Sequence, residues 1–270
     1  KDDPGLSINI APHAPYSVTA EALQASMRLA EELDTTWQIH LSETEEERQN
    51  AIKEFGCSPV EYLAKLGCLN ERTVAVHCVA LSDHDIELLA KSGASVVHCP
   101  VSNMRLGCGA SPVVKLLKAG VNVALGTDGA ASACSLSMFE QMRTAGLIAK
   151  GFSQDPTQLT VNQIIRMATI NGANALKLDR EVGSLAVGKF ADLAVIDMSQ
   201  LVTMPVLDVL SNVIYAVEAQ CIHQVWASGC LVANIQQEKL LRPDRGKLLT
   251  KSNIMSWQNR VCEILRDDFN

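Results

Sequence analysis

Four of the six histidines and one aspartate stand where apolar runs of the sequence end, and their residue types could together hold a metal ion. They are His13, His40, His77, His98 and Asp128. Any one of these histidines alone is more often a hydrogen-bonded core or loop residue than a ligand. Imidazoles and a carboxylate that converge on one point suit a borderline metal such as Zn²⁺. Because a bound metal lowers the pKa of its water toward neutrality, the pattern indicates hydrolytic chemistry.

Glu43 follows His40 by three residues and could move a proton between water and a substrate. The alternative is an acid in the first turn of a helix, since Glu45, Glu46 and Glu47 come directly after it. The spacing from His40 favours the catalytic interpretation.

Asp128 lies between two glycines in the sequence Gly126-Thr127-Asp128-Gly129. An ordinary surface turn is one interpretation, because Asp-Gly is common in turns. The other is a carboxylate that points into a shared site, with the glycines letting the backbone turn sharply beside it. The preceding apolar run, which reads as a buried strand, favours the second.

Strand-like and helix-like segments alternate from residue 6 to about residue 150, which predicts a parallel sheet, either open or closed into a barrel. The predicted strands are residues 6–12, 36–43, 73–80, 94–100 and 121–128. The predicted helices include residues 19–34, with Thr19 as N-cap, 82–91, 111–120, 135–150 and 160–178. In a parallel α/β barrel the catalytic groups come from the carboxyl ends of the strands, where these histidines and Asp128 stand.

The pattern changes after residue 180. Residues 183–199 are short, β-rich and turn-rich, and residues 221–234 predict a hairpin around Ser228-Gly229. A final amphipathic helix is predicted over residues 246–267.

Composition narrows the class of partner. The 270 residues carry a net charge of −7, so nucleic acid and anionic membranes are not expected partners. No apolar run approaches the roughly 20 residues that span a bilayer. Nine scattered cysteines without a C-x-x-C pair predict reduced thiols in a cytoplasmic protein. Cys78 and Cys99 each follow a histidine and could be ligands, although small buried apolar residues are the commoner role.

Seven segments, spread in order over nearly the whole chain, resemble the amidohydrolase superfamily. They are APHAPYS (11–17), IHLSETEEE (39–47), AVHCVALSD (75–83), HCPVSNMRLGCGASPV (98–113), GVNVALGTDGAAS (120–132), MATINGANAL (167–176) and GSLAVGKFADLAVID (183–197). Within the superfamily they resemble the 5′-methylthioadenosine/S-adenosylhomocysteine deaminases, in the group that includes the triazine hydrolases. The resemblance implies an α/β fold, a metal-dependent-hydrolase (β/α)8 TIM barrel flanked by a small β-sandwich.

The resemblance also implies roles for five residues. His40 and Asp128 would be ligands of one divalent metal, most simply Zn²⁺, with Fe²⁺ or Mn²⁺ also compatible. Asp128 would accept a proton from the attacking water, and Glu43 would carry that proton to a ring nitrogen of a purine nucleoside. His77 would hydrogen-bond the attacking oxygen and the leaving amine, and His13 would contact the substrate near its ribose.

Three further residues receive supporting roles from the same resemblance. Ser102 and Asn103 would lie beside the site and support it, and His98 would be structural rather than a metal ligand. The resemblance is also compatible with assembly of this chain into a homo-oligomer.

The sequence departs from the family in two places. No His-x-His pair occurs, so two of the expected metal ligands are absent, and the chain reads as the C-terminal portion of a family member. The expected domains are therefore residues 1–180 as barrel strands 4–8, 181–240 as part of the β-sandwich and 241–270 as a C-terminal helix. Residues 129–135, Gly-Ala-Ala-Ser-Ala-Cys-Ser, replace the Asn-rich loop that the family has after the aspartate. Because this loop lies near the expected site, the substrate preference stays open.

Three functions follow as alternatives. The first is deamination of the adenine ring of 5′-methylthioadenosine or S-adenosylhomocysteine, which yields the inosine analogue and ammonia. The second is an aminohydrolase or chlorohydrolase that acts on guanine, a pterin-like heterocycle or an s-triazine. The third is an inactive, metal-free chain.

Overall fold

The computed structural model describes residues 6–234 and the backbone of residues 239–240. The chain divides into two compact units. The first runs to Ser184 and includes Val213–Tyr215; the second takes Leu185–Asn212 and the described residues from Ala216 onward.

The first unit is built on a parallel sheet with the strand order β1-β2-β3-β4. The strands are β1 (Trp37–Leu41), β2 (Thr73–His77), β3 (Ser95–His98) and β4 (Asn122–Leu125). Ten helices of the described residues precede, connect or follow them: α1 (Ala20–Glu32), α2 (Glu45–Phe55), α3 (Pro59–Lys65), α4 (Asp83–Ser92), α5 (Pro100–Arg105), α6 (Val113–Lys118), α7 (Ala130–Ala133), α8 (Met138–Ser153), α9 (Val161–Ala168) and α10 (Ile170–Ala175). The predicted α/β class with a parallel sheet is confirmed.

The first predicted strand, residues 6–12, is wrong as a strand. Only Ile10 forms a bridge, parallel to Trp37, and the Ile10 N–H donates to Thr36 O at 3.1 Å. Two features limit the pairing: Leu6 and Ile8 are largely exposed, and Pro12 has no N–H to donate to a neighbouring strand. The segment still continues beside β1, because the His40 N–H donates to His13 O at 3.0 Å.

The helix starts follow from capping chemistry in the sequence. The Thr19 side chain accepts from the Ala22 N–H, as predicted for the N-cap of α1. Ser82 forms a capping box with Asp85 at the start of α4. The Thr44 side chain accepts from the Glu47 N–H and so begins α2 directly after β1. This cap fixes where Glu43 stands between strand and helix.

The core of the first unit lies between the helices and one face of the sheet. Leu23 of α1 and Leu63 of α3 share a buried apolar cluster with Trp37, Ile39 and Leu41 of β1. Side chains alternate along a strand, so His40 belongs to the opposite face. Alternation therefore separates the polar face from the packed face.

The second unit carries an antiparallel sheet of the order β5-β6-β7-β8. Its strands are β5 (Leu193–Ile196), β6 (Ile222–Ala227), β7 (Cys230–Asn234) and β8 (Lys239–Leu240), and α11 (Val209–Tyr215) lies between β5 and β6 in the chain. The predicted hairpin is present: Ser228 (φ 50°) and Gly229 (φ 77°) form its two-residue turn. The predicted helix over residues 246–267 lies outside the described residues.

Two global expectations can be compared with the described residues. Every cysteine described there is free. None of the helices within these residues combines the length and the apolar character that crossing a bilayer requires.

Candidate functional site

Three histidine rings meet where the polar face of the sheet reaches the strand ends. The His40 and His77 ring centroids lie 5.1 Å apart in a stacked arrangement, and His13 meets His40 edge-on at 5.4 Å. His13 is exposed, and its Nδ1 pairs with Ser17 Oγ at 2.7 Å. The sequence prediction that these three residues come together is therefore realised in space, although they lie as many as 64 residues apart.

A short hydrogen-bonded chain orders two of these rings. His40 Nδ1 lies 3.0 Å from His77 Nε2, and His77 Nδ1 lies 2.9 Å from Asn103 Oδ1. His77 and Asn103 are almost fully buried. Burial and the neighbouring His77 lower the pKa of His40, so its neutral form is favoured.

His77 reaches this position through an unusual backbone conformation. The register pairs His77 with Leu41, whose side chain packs against the helices. Strict alternation would thus send His77 to the helix side. His77 and Cys78 instead take φ of 74° and 48°, and the extended strand conformation ends there. The left-handed backbone brings the imidazole to His40.

Glu43 is held at the end of β1 by its neighbours in the chain. Ser42 takes φ of 50°, and the N–H groups of Ser42 and Glu43 donate to the Glu47 carboxylate at 3.0 and 2.6 Å. Burial raises the pKa of Glu47, against the lowering effect of those backbone donors. Glu43 Oε2 lies 3.8 Å from His77 Nε2, and the other oxygen, Oε1, faces the Cys108 thiol at 3.5 Å.

Asp128 is fixed by two donors. Ser102 Oγ donates to Oδ2 at 2.6 Å, and the Gly129 N–H donates to Oδ1 at 2.7 Å. Burial would raise the pKa of Asp128, but these donors, with His77 and His40, outweigh it and lower the pKa. Asp128 therefore stands as a carboxylate within the field of both imidazoles.

The glycines around Asp128 act differently from the prediction. Asp128 itself takes the left-handed φ of 59°, while Gly129 has an ordinary φ of −69°. At Gly126 a Cβ would lie 2.6 Å from Val97 Cγ1. Gly126 is thus required by close packing against β3 and not by a sharp turn.

His98 does not join the group, so its predicted convergence with the other histidines is wrong. It shares the strand face of Val96, which packs into the helix-side core, and it lines a cavity of about 280 Å³ beside α6 and α8. Burial lowers the pKa of His98 to about 3, with His77 adding to the shift. This ring is a neutral, buried element of the fold.

Cys78 and Cys99 are buried thiols whose pKa values are raised by burial, Cys99 to about 12. Both therefore remain protonated at neutral pH, in the form that packs as a small apolar residue. Among the residues named here, Glu47 and Cys108 had not been expected at the site. Thr44-x-x-Glu47 matches the capping-box pattern and could have identified Glu47, whereas no local signal marks Cys108.

The donors suit a metal in type but not in number. His40 and Asp128 offer an imidazole and a carboxylate, which Zn²⁺ accepts. Within residues 6–234, however, no group of three or more His, Cys, Asp or Glu side chains is arranged to hold a metal ion. His40 and Asp128 would therefore need further ligands to hold a metal ion.

A cavity of about 550 Å³ opens beside Glu43. Four of its seven lining residues are glutamates. The seven lining residues are Tyr16, Glu43, Thr44, Glu46, Glu47, Asn50 and Glu54. The space beside the site is consequently acidic.

Curated proteins about 40% identical to this chain match it over about half of their own length. A protein of Teredinibacter turnerae named 5-methylthioadenosine/S-adenosylhomocysteine deaminase is 43% identical over 229 residues, which is 85% of this chain and 52% of the relative. A 5'-deoxyadenosine deaminase of Methanothermobacter thermautotrophicus is 41% identical over 84% of this chain and 53% of its own. The chain thus spans about half the length of the curated relatives it matches.

A solved structure has the same fold. The crystal structure of an adenosine deaminase from Xanthomonas campestris with bound zinc matches with a TM-score of 0.89 and 39% identity, over 97% of this chain and 59% of that one. The profile of the amidohydrolase family matches residues 1–232. With its parallel sheet and its polar strand ends, the chain belongs to the amidohydrolase family.

Proposed function

We propose that the protein hydrolytically deaminates the adenine ring of an adenosine thioether, 5′-methylthioadenosine or S-adenosylhomocysteine. Water adds to the amino-bearing carbon of the ring, ammonia leaves, and the inosine analogue remains. The observation that carries the proposal is the contact of Glu43 with His77, and of His77 with His40, at neighbouring strand ends. Relatives about 40% identical that are named as such deaminases support the substrate class.

Proton transfer is the part of this reaction that the described side chains can perform. We assign Asp128 as the acceptor of the first proton from water, because its pKa is lowered and it stands ionised. Glu43 carries the proton to a ring nitrogen, and its exposed fraction of 24% leaves it within reach of a substrate. His77 hydrogen-bonds the reacting centre, and exposed His13 contacts the sugar.

A divalent metal, most simply Zn²⁺, would be held by His40 and Asp128 together with ligands from outside the described residues. When bound, it supplies a Lewis acid that makes water nucleophilic near neutral pH. The ordered neutral ring of His40 is the form of histidine that binds metals.

The acidic cavity favours one class of purine substrate. Glu43, Glu46, Glu47 and Glu54 line it, and their charges disfavour a phosphorylated substrate. A neutral nucleoside, or one with an amino-bearing tail, is compatible with the same field. This supports nucleosides over nucleotides.

The finer architecture belongs to the proposal as well. We expect the segment through Ile10, with the four strands β1–β4, to correspond to strands 4–8 of a (β/α)8 barrel within residues 1–180, and residues 181–240 to be part of a β-sandwich. A cytoplasmic location is expected from the free thiols of the described residues. A homo-oligomer is expected from the family.

The direct test combines metal content with product release. The purified chain is dialysed, its zinc per chain is measured, and ammonia and chloride release are followed with thioether adenosines, guanine and a chlorinated s-triazine. The Teredinibacter turnerae relative serves as positive control. Ammonia from the thioether adenosines alone is expected. Chloride release, or ammonia from guanine alone, contradicts the proposed substrate. Absence of both metal and turnover in added Zn²⁺ favours the inactive alternative.

A variant connects the reaction to the site. Asp128→Ala should abolish turnover and metal retention together, because it removes a proposed ligand and the proton acceptor. Normal kcat in this variant would contradict the assignment.

A further inference from the structure

Four contacts join Glu43, His77, Asn103 and Cys108 into a closed ring that includes the Glu43 carboxylate. Glu43 Oε2 faces His77, His77 Nδ1 pairs with Asn103 Oδ1 at 2.9 Å, and the Cys108 N–H donates to Asn103 O at 2.8 Å. The Cys108 thiol then returns to Glu43 Oε1 at 3.5 Å. Asn103 thus ties together the two groups between which the carboxylate lies.

The loop that carries Cys108 is itself anchored. Ser111 Oγ donates to Cys78 O at 2.8 Å, which binds the loop to the end of β2. Gly109 has φ of 104°, and a Cβ there would lie 3.4 Å from Val79 Cγ1. The position of the thiol relative to His77 is therefore set by the backbone on both sides.

The thiol has the protonation state that this contact requires. Burial and the nearby Glu43 raise the pKa of Cys108 to about 11, so the S–H remains protonated at neutral pH. A protonated thiol is a weak donor, and an ionised carboxylate is a good acceptor for it.

We propose that Cys108 is a positioning residue for Glu43: its thiol donates to Oε1 and so turns Oε2 toward His77. The consequence for turnover rests on the proposed function, in which Glu43 carries the proton. The contact itself does not depend on it. A carboxylate with one oxygen held by a donor has fewer orientations to sample, which raises the fraction of time spent in a productive geometry.

The contact can be tested without turnover through the ring nitrogens of His77. In ¹⁵N-labelled protein, Cys108→Ala should move the His77 Nε2 resonance, because the carboxylate that faces it loses its fixed orientation. Cys108→Ser should return the resonance toward its original position, since a hydroxyl also donates. Cys230→Ala, which removes an exposed thiol, is the matched control. An unchanged His77 resonance in folded Cys108→Ala overturns the proposal.

Thiol reactivity gives an independent reading. Glu43→Gln removes the negative charge beside Cys108, so its thiolate forms at lower pH. The rate of Cys108 alkylation by iodoacetamide, followed on its peptide by mass spectrometry at alkaline pH, should then rise roughly three- to ten-fold. Glu32→Gln, at an exposed glutamate of α1, should leave that rate unchanged. Equal rates in the two variants contradict the contact.

Turnover separates this proposal from the proposed function. Cys108→Ala should lower kcat roughly three- to ten-fold with little change in KM, and Cys108→Ser should restore it. A raised KM with unchanged kcat overturns the positioning role and makes Cys108 a substrate contact. If thioether adenosines are not deaminated but the resonance and alkylation results hold, the proposed function fails and the thiol–carboxylate contact stands.

Discussion

His40 Nδ1 lies 3.0 Å from His77 Nε2, and Asn103 on the other side of His77 orders the protons of the two rings. The Asn103 carbonyl oxygen accepts at 2.9 Å, so His77 Nδ1 is the donor and its Nε2 is the acceptor. His40 Nδ1 must then donate to His77, which leaves His40 Nε2 with a free lone pair. A neutral imidazole with one such nitrogen is the form that binds a divalent metal.

Asn103→Ala should remove the preference of His77 for a single tautomer. The variant leaves the buried His77 N–H without its acceptor, so the free energy of unfolding should fall by about 1–3 kcal/mol. The ring ¹⁵N shifts of His77 should report a mixture of tautomers in place of one. Asn103→Asp keeps an acceptor oxygen and should retain the single tautomer. A single, unchanged tautomer in Asn103→Ala would show that another group orients His77.

Glu43→Gln should preserve the fold but remove most of the deaminase activity. The amide keeps the shape of the side chain and cannot shuttle a proton, a function worth roughly 10²- to 10⁴-fold in rate. Steady-state ammonia release measures the loss, and Glu32→Gln provides a control for an exposed glutamate. Full activity with metal retained would exclude Glu43 from the mechanism.

Gly126→Ala should destabilise the first unit, whereas Gly129→Ala should not do so to the same extent. A Cβ at Gly126 would meet Val97 Cγ1 at 2.6 Å and Cys99 Sγ at 3.2 Å, while at Gly129 no atom lies within 4 Å. Overpacking of this kind costs about 1–3 kcal/mol. At Gly129, an N-cap position with an ordinary φ, the change should stay below about 1 kcal/mol. Urea unfolding of the two variants compares them, and equal losses would contradict the close approach.

Acid should destabilise the protein partly through His98. Burial lowers its pKa from 6.5 to about 3 in the folded chain, so between these values the unfolded state binds a proton that the folded state does not. The free energy of unfolding should therefore fall as pH decreases below 6.5, by up to about 1.4 kcal/mol per pH unit from this residue.

The measurement is the slope of unfolding free energy against pH in wild type and in His98→Gln. His40, whose pKa is lowered mainly by burial, acts in the same direction and should retain part of the slope in the variant. Identical slopes in the two proteins would contradict a neutral, buried His98.

The sequence predicted the strand ends well because apolar runs and capping residues are local signals. His40, Glu43 and His77 could be grouped before the structure was known, since parallel strands bring their carboxyl ends to one edge. Its place at a strand end could not separate His98 from them, because its face depends on the strand register and on the exit of the chain from β3. Only the family resemblance gave His98 a structural role. The contact of Cys108 with Glu43 joins residues 65 positions apart and leaves no periodic trace.

Backbone strain is concentrated at the candidate site, where four residues that are not glycine take a left-handed conformation. They are Ser42, His77, Cys78 and Asp128. Non-glycine residues in this region cost of order 1–3 kcal/mol each, and the surrounding packing must offset that strain. Substitution by glycine at such positions would relieve strain and at the same time dismantle the site. Selection for stability alone would therefore favour substitutions at these four positions, and the same substitutions would remove the candidate site.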